Sequence, residues 1–301
     1  MSLWRMLPAL LKTSGSRWSA HNAPRLGASL AYYTLLSIAP LSILVVGICS
    51  MVLSQSTAEE AFIARIREVA GPSSAATIKT LIENTHQHNG LAATVIAFAT
   101  LLFGASGVFV ELRDSLNIVW DAPPPTSSTW RSMVSQRLIS FAMVLGLCVL
   151  FLSSLLLDAG LTVLEKLFSE IVPFNISLFG ELANVIFSLL AFAILFGLVF
   201  KFVPNVPIRW EEVGVGAIST AVLFVIGKAL LSLYFATAAV GSTYGAAGSL
   251  VALVAWVYYS AQIFFFGAEF TRVYADQFGS ATAQKERKAA RVLGTITGEE
   301  R

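Results

Sequence analysis

The chain has 301 residues, of which 56% are hydrophobic and 13% are charged, and its formal net charge is +2. Soluble domains carry about a quarter of their residues as Asp, Glu, Lys and Arg, so this composition excludes an ordinary water-soluble protein and indicates an integral membrane protein. The small, dispersed positive charge also excludes a nucleic-acid partner, which requires basic residues massed on one face.

The amino-terminal segment, residues 1–26, is basic and amphipathic. It contains Arg5, Lys12, Arg17 and Arg25 but no acidic residue, and leucines recur in it at helical spacing. These features predict an interfacial helix on the cytoplasmic face of an anionic membrane. The apolar run that follows is longer than the core of a signal peptide, so we expect it to be retained as the first span.

Six apolar stretches are long enough to cross a bilayer, for which about 20 residues suffice. They predict an all-α, polytopic membrane protein whose transmembrane domain covers residues 27–274. The predicted spans lie at about residues 28–53, 91–112, 138–157, 182–202, 213–240 and 246–271. Amphipathic stripes in segments 54–90 and 158–181 predict short helices on the outward surface. The polar residues 275–301 predict a mobile cytoplasmic tail.

The longest uncharged stretch, residues 229–268, contains no Asp, Glu, Lys or Arg. A continuous helix of that length would measure about 60 Å, twice the hydrocarbon thickness of a bilayer. Gly241, Gly245 and Gly248 form a cluster of weak helix formers within it. This cluster predicts a tight hairpin between spans five and six.

The distribution of Lys and Arg predicts the orientation of the chain. Fifteen of the 20 lie in the amino-terminal segment, the 113–137 loop, the 201–209 loop and the carboxyl-terminal segment, whereas four lie on the opposite side. Because positive residues accumulate on the cytoplasmic side, we expect both termini in the cytoplasm.

Three sequence blocks together resemble one family of bacterial membrane proteins. They are SLAYYTLLSIAPL at 29–41, RDSLNIVWD at 113–121 and TYGAAGSLVALVAWVYYSAQIFFFGAEF at 243–270. These blocks resemble the YihY/BrkB family of bacterial inner-membrane proteins, formerly mislabelled ribonuclease BN. The resemblance implies a six-span protein of the bacterial cytoplasmic membrane with no established catalytic residues, for which transport of an envelope component is the usual suggestion.

Lys228 is a lone cation within predicted span five, and a charge inside a span is a functional candidate by default. Two interpretations stay open: Lys228 faces an outward-open cavity that attracts an anionic head group, or it snorkels to the outer head groups. From its depth we expect Ser42 and Tyr258 or Tyr259 beside it. The candidate substrate-binding set consists of Lys228, Ser42, Tyr258, Tyr259, Tyr32 and Gln262. For its tyrosines, hydrogen bonds between packed helices are the competing explanation.

A second set of charges gathers where spans two, four and six meet the cytoplasm. Glu269 and Arg272 are three residues apart on one helical face, so they are placed to pair. The simplest interpretation is a collar of ion pairs that fixes helix ends, and the alternative is a gate or binding site. The set consists of Glu111, Arg113, Asp114, Lys201, Glu269 and Arg272.

No pattern in the sequence predicts a cofactor, a metal or a catalytic site. His86 and His88 are two apart and point to different faces of a helix, and no third ligand has a fitting spacing. A phosphate-binding glycine loop followed by Lys and Ser or Thr is absent from the sequence. The acidic residues are scattered over loops, so we expect neither nuclease nor other enzymatic activity.

The function that these features favour is transport or flipping of a lipid or other amphiphilic envelope component, with membrane lipids, including an anionic one, as partners. The alternative is a non-catalytic structural or assembly partner in envelope biogenesis, for which small-residue helix packing is equally suited. A membrane-depth cleft lined by Ser42, Lys228 and Tyr258 would favour transport, and a closed bundle would favour the alternative.

Overall fold

The computed structural model describes residues 3–86, 107–122, 176–206, 208–237 and 248–279, together with positions 146, 149, 152 and 153. The helices are α1 (Leu3–Ala20), α2 (Ala23–Cys49), α3 (Gln55–His86), α4 (107–119), α5 (Ile176–Phe202), α6 (Trp210–Thr237) and α7 (Gly248–Phe278). The described residues contain no strand, so the all-α prediction is confirmed for them. Predicted spans two and three, the segment 158–181 and the tail 275–301 lie mostly outside the described residues.

Three of the described helices are long and apolar enough to cross a bilayer. They are Val185–Phe202 in α5, Trp210–Leu231 in α6 and Gly248–Phe278 in α7. Helix α2 adds a fourth span if its segments Ala23–Ile38 and Leu41–Cys49, which meet at 54°, cross the membrane as one. Pro40 lies at this bend. Proline cannot supply the backbone hydrogen bond that a straight helix needs, so it accounts for the bend. The described part of the chain is therefore a multi-pass helical bundle.

Helix α7 lies at the centre of the described structure, since it packs against α1, α2, α3 and α6, while α6 also packs against α5. Phenylalanine rings fill the space between α5, α6 and α7, with centroids 4.7 to 6.3 Å apart. These rings belong to Phe192, Phe196, Phe200, Phe224 and Phe264. They join these three helices into one cluster.

The contact between α6 and α7 is a reciprocal pairing of glycine and threonine. A Cβ built on Gly216 of α6 would lie 1.9 Å from Thr271 Oγ1, and one on Gly267 of α7 would lie 2.1 Å from Thr220 Oγ1. Each threonine hydroxyl donates a 2.7 Å hydrogen bond to the glycine carbonyl one turn earlier on its own helix. Small residues at such a contact let two membrane helices approach closely.

Helix α3 consists of two arms that meet at Gly71. This residue has φ 85° and ψ 167°, a conformation that only glycine adopts readily, and Pro72 follows it. The first arm begins after Ser54, whose hydroxyl accepts the backbone N–H of Thr57 at 3.2 Å as a helix cap.

Both arms of α3 pack against the bundle. Ile63 of the first arm and Ile78 and Ile82 of the second share a buried cluster with Leu253 and Val257 of α7. The segment predicted to form outward surface helices is thus helical and attached to the central helix.

A short turn at residues 21 and 22 joins α1 to α2. Asn22 adopts the left-handed conformation with φ 53°, which ends α1 and redirects the chain into α2. Leu10 of α1 packs with Phe270 and Val273 of α7. These contacts hold α1 against the carboxyl-terminal end of α7 and bring His21, in the turn, next to that end.

Candidate functional site

Lys228 forms an ion pair with Glu68, a residue that no sequence pattern distinguishes. Its Nζ lies 3.7 Å from Oε1 of Glu68 in the first arm of α3, and its side chain is 23% exposed. The other carboxylate oxygen of Glu68 is contacted by Arg65, one turn earlier on α3. The Glu68 carboxylate therefore lies between two cations.

The structure places Ser42 and Tyr258 away from polar contact with Lys228. The buried Ser42 hydroxyl donates to the carbonyl of Ile38 on its own helix at 2.6 Å. Tyr258 is exposed on α7. Among the described residues, Lys228 has its ion pair with Glu68 and no hydrogen bond to Ser42 or Tyr258.

The remaining members of the predicted substrate-binding set lie in separate environments. Tyr259 packs against α6 at Gly227, where an added Cβ would be 3.2 Å from the Tyr259 ring. Tyr32 is exposed and its ring contacts Tyr33 edge-on at 5.7 Å. The amide of Gln262 faces α2 at Gly27, and neither amide atom has a hydrogen-bond partner among the described residues.

A second group of charges surrounds His21 at the opposite end of α7. His21 Nδ1 lies 2.5 Å from Oε1 of Glu269, and Nε2 lies 3.4 Å from Oδ1 of Asp121. Glu269 is fully buried, and its Oε2 has no hydrogen-bond partner among the described residues. The imidazole thus bridges two carboxylates from different parts of the chain.

Arg272 continues this group one turn beyond Glu269 on α7. Its guanidinium donates to Asp121 and to the carbonyl of Val119, and its Nε lies 3.8 Å from Asp276. Arg17 of α1 contacts the same Asp276 oxygen at 3.3 Å. We call the set of Arg17, His21, Asp121, Glu269, Arg272 and Asp276 the ionic cluster.

The ionic cluster changes the protonation of its members. Hydrogen bonds to Asp121 and Glu269 raise the pKa of His21 to about 9, against the opposing effect of its burial. The hydrogen bond from His21, assisted by Arg272, holds the pKa of Asp121 well below its usual range. With His21 protonated, three cations face three carboxylates and their charges cancel.

The three-residue spacing of Glu269 and Arg272 predicts that they pair with each other. In the structure each has a different partner, and His21 and Asp121 link the two side chains. No spacing rule could identify His21, because it lies in a turn far from α7 in sequence.

The other predicted rim residues take little part in the ionic cluster. Arg113 donates to Asn205 at 3.3 Å, and Lys201 donates to the carbonyl of Ile208 and lies 5.7 Å from the ring centre of Trp210. Glu111 and Asp114 have no ion pair with another described residue. These contacts fix the α5–α6 connection.

No group of three or more His, Cys, Asp or Glu side chains in the described residues is arranged to hold a metal ion. The ionic cluster illustrates the reason, because the two nitrogens of His21 point to opposite carboxylates and do not converge on one point.

A family model described as Virulence factor BrkB matches residues 14–292. The chain is 26% identical over 265 residues to the ribonuclease-like protein YfkH of Bacillus subtilis (strain 168), covering 87% of this chain and 93% of that protein. It is 25% identical to the UPF0761 membrane protein RSc1559 of Ralstonia nicotianae (strain ATCC BAA-1114 / GMI1000), covering 87% of this chain and 58% of that protein. It is 27% identical to a UPF0761 membrane protein of Aeromonas salmonicida (strain A449), covering 84% and 86%, respectively. No solved structure matches the chain significantly.

Proposed function

Since the chain belongs to the virulence factor BrkB family of membrane proteins, we propose that it is a six-span protein of the bacterial cytoplasmic membrane that moves a lipid or other amphiphile with an anionic head group. Both termini lie in the cytoplasm in this proposal. Support for the orientation comes from the 15 of 20 Lys and Arg residues assigned to the cytoplasmic side. Reporter fusions at each end test it, and termini on opposite sides of the membrane would overturn it.

The observation that carries the transport proposal is the charged side chain of Lys228 within the bundle, which pairs with Glu68 at 3.7 Å. Lys228 lies inside an apolar span, where an ammonium is costly unless it is paired or reaches water. Its partner Glu68 is shared with Arg65. A phosphate in a lipid head group is a second anion that can accept a charge-assisted hydrogen bond from the Lys228 ammonium.

The position of this site suits a lipid that enters from the bilayer. Lys228 lies 18 residues from the start of α6, which corresponds to about 27 Å along the helix axis. The start of α6 is on the same side of the bundle as the ionic cluster. This depth corresponds to the far boundary of the hydrocarbon layer. The acyl chains would then lie along the apolar outer face of α6, where Ile226, Leu230 and Leu233 are exposed.

Transport of a fluorescent phosphatidylglycerol in proteoliposomes tests this proposal directly. We expect the wild-type protein to expose the labelled lipid to an external quencher faster than protein-free vesicles do, and Lys228→Gln to slow the rate about tenfold, since one charged hydrogen bond contributes about 1.5 kcal/mol. Lys79→Gln is the matched control, because Lys79 is exposed on α3 and pairs only with Glu83 at 3.7 Å among the described residues. Equal rates for wild type and Lys228→Gln would overturn the proposal.

The second candidate is a non-catalytic structural or assembly role in the envelope. It is favoured by the close contact of Gly216 and Gly267 with the facing threonines, which suits a rigid helix pair. Wild-type proteoliposomes that fail to move phosphatidylglycerol or phosphatidylethanolamine, together with defined co-purifying envelope proteins, would support this role. A nuclease activity is not part of either proposal.

A further inference from the structure

We propose that His21, Asp121 and Glu269 form a proton-binding site that, when occupied, fastens α1 and the end of α4 to α7. The site lies at the opposite end of α7 from Lys228 and does not depend on the transport proposal. Its ligand is a single proton taken from water and bound by the imidazole ring.

The geometry requires a protonated ring. Nδ1 of His21 lies within hydrogen-bond distance of Glu269, and Nε2 lies 3.4 Å from Asp121. A neutral imidazole has a hydrogen on only one nitrogen, so it can donate to only one carboxylate and turns a lone pair towards the other. Only imidazolium satisfies both carboxylates together.

The burial of Glu269 makes the proton important for packing. A carboxylate that is 0% exposed is stable only if a cation or hydrogen-bond donors compensate for its lost hydration. His21 is the group within hydrogen-bond distance of Glu269, whereas Arg272 donates to Asp121 and Val119. The second oxygen of Glu269 has no partner among the described residues, so the loss of the His21 proton would leave this carboxylate without its only described donor.

Exposure of the three groups falls steadily towards the interior. The side chain of Asp121 is 47% exposed, that of His21 is 20% exposed, and Glu269 is fully buried. A proton from hydronium therefore reaches the ring from the Asp121 side, converting imidazole to imidazolium and hydronium to water. The same proton returns to water by this side when the ring is released.

The neighbouring charges favour the protonated state. With imidazolium present, the ionic cluster has no net charge, and with a neutral ring it carries a charge of −1 in a poorly solvated place. Of the other helices packed here, α6 contributes the buried Glu212, whose Oε2 accepts the backbone N–H of Arg209, and α2 contributes the exposed Arg25.

Proton binding and helix packing must be reciprocal. If the packed arrangement of α1 on α7 holds the proton more tightly than the separated one, then separating the helices releases a proton, and raising the pH favours separation. A conformational change at this end of the protein thus exchanges one proton with the adjoining aqueous phase.

NMR of protein labelled with ¹³C at histidine tests the site, because the chain has only three histidines. We expect the His21 signal, assigned by its loss in His21→Gln, to titrate near pH 9, well above the value of about 6.5 that is usual for histidine. Asp121→Asn, a change at a half-exposed position that the fold should tolerate, should lower the His21 midpoint by about one pH unit or more. A His21 midpoint equal to those of the other two histidines would overturn the proposal.

Hydrogen–deuterium exchange tests the link to packing. Exchange times are corrected for the pH dependence of the intrinsic exchange rates. In the wild type, peptides from residues 3–26 should lose protection between pH 7 and pH 10. In His21→Gln, the same peptides should be poorly protected at both pH values. Peptides from α5 provide the internal control and should not change. Protection of residues 3–26 that is independent of both pH and His21 would overturn the fastening role.

Discussion

Replacing Gly267 with alanine places a methyl group at the closest contact between α6 and α7. The new Cβ would lie 2.1, 2.6 and 2.8 Å from Oγ1, Cγ2 and Cβ of Thr220, respectively, whereas carbon atoms normally approach to about 3.5 Å. Rotation of the Thr220 side chain can move its Oγ1 and Cγ2 but not its Cβ. The helices must therefore separate, and the expected loss in unfolding free energy is about 1–3 kcal/mol.

Equilibrium unfolding of the purified protein in mixed micelles, followed by circular dichroism, measures this loss. Gly214→Ala is the matched control, because a Cβ at Gly214 on α6 meets no atom within 4 Å. Thr220→Ala in the Gly267→Ala background removes two of the three close contacts, so the double variant should recover part of the loss in a non-additive way. If Gly267→Ala is as stable as Gly214→Ala, the proposed steric basis of this contact is wrong.

Three further changes test other parts of the fold. Folding raises the pKa of His21 from 6.5 to about 9, so the stabilisation by its proton is complete below pH 6.5 and is lost as the pH rises through 9. The shift corresponds to about 3 kcal/mol at most, and solvent screening at the half-exposed carboxylate of Asp121 reduces this to about 1–2 kcal/mol. His21→Gln should abolish this pH dependence of the unfolding free energy. Trp256→Phe keeps an aromatic ring but removes the 3.1 Å hydrogen bond from Nε1 to the carbonyl of Val69, so it should cost about 1 kcal/mol and increase hydrogen exchange in the first arm of α3. Gly71→Ala should lower the unfolding free energy by about 1–3 kcal/mol because alanine is strained at φ 85°, whereas Gly47→Ala, with no atom near its Cβ, should be nearly neutral in the same measurement.

Apolar runs predict the positions of α5, α6 and α7, with ends that differ from the observed ones by up to seven residues, because a membrane helix must be apolar along the length that crosses the bilayer. Their ends were harder to predict. Helix α6 begins at Trp210 and not at the predicted residue 213, since Glu211 and Glu212 are favourable in a first turn and Glu212 accepts the backbone N–H of Arg209. Helix α7 likewise continues to Phe278, beyond the predicted end at residue 271. The charged side chains near its end form ion pairs, so their charge does not end the helix.

The partners of the charged residues could not be predicted from the sequence. Lys228 was expected beside Ser42 from its depth alone, but its partner, Glu68, is brought to it by the folding of α3 onto the bundle. His21 had no distinguishing pattern, and only the turn between α1 and α2 places it at Glu269. Periodicity reports which face of a helix is apolar, whereas these contacts depend on which helices are neighbours.

The length of α7 connects two distant parts of the described structure. Trp256 attaches it to α3, and Arg272 attaches it to the chain around Asp121 sixteen residues later, about 24 Å away along the axis. A straight helix acts as a lever, so a tilt of about 10° about one attachment displaces the other by about 4 Å, given that length. A sideways shift at one attachment therefore changes the angle at which α7 meets its partner at the other.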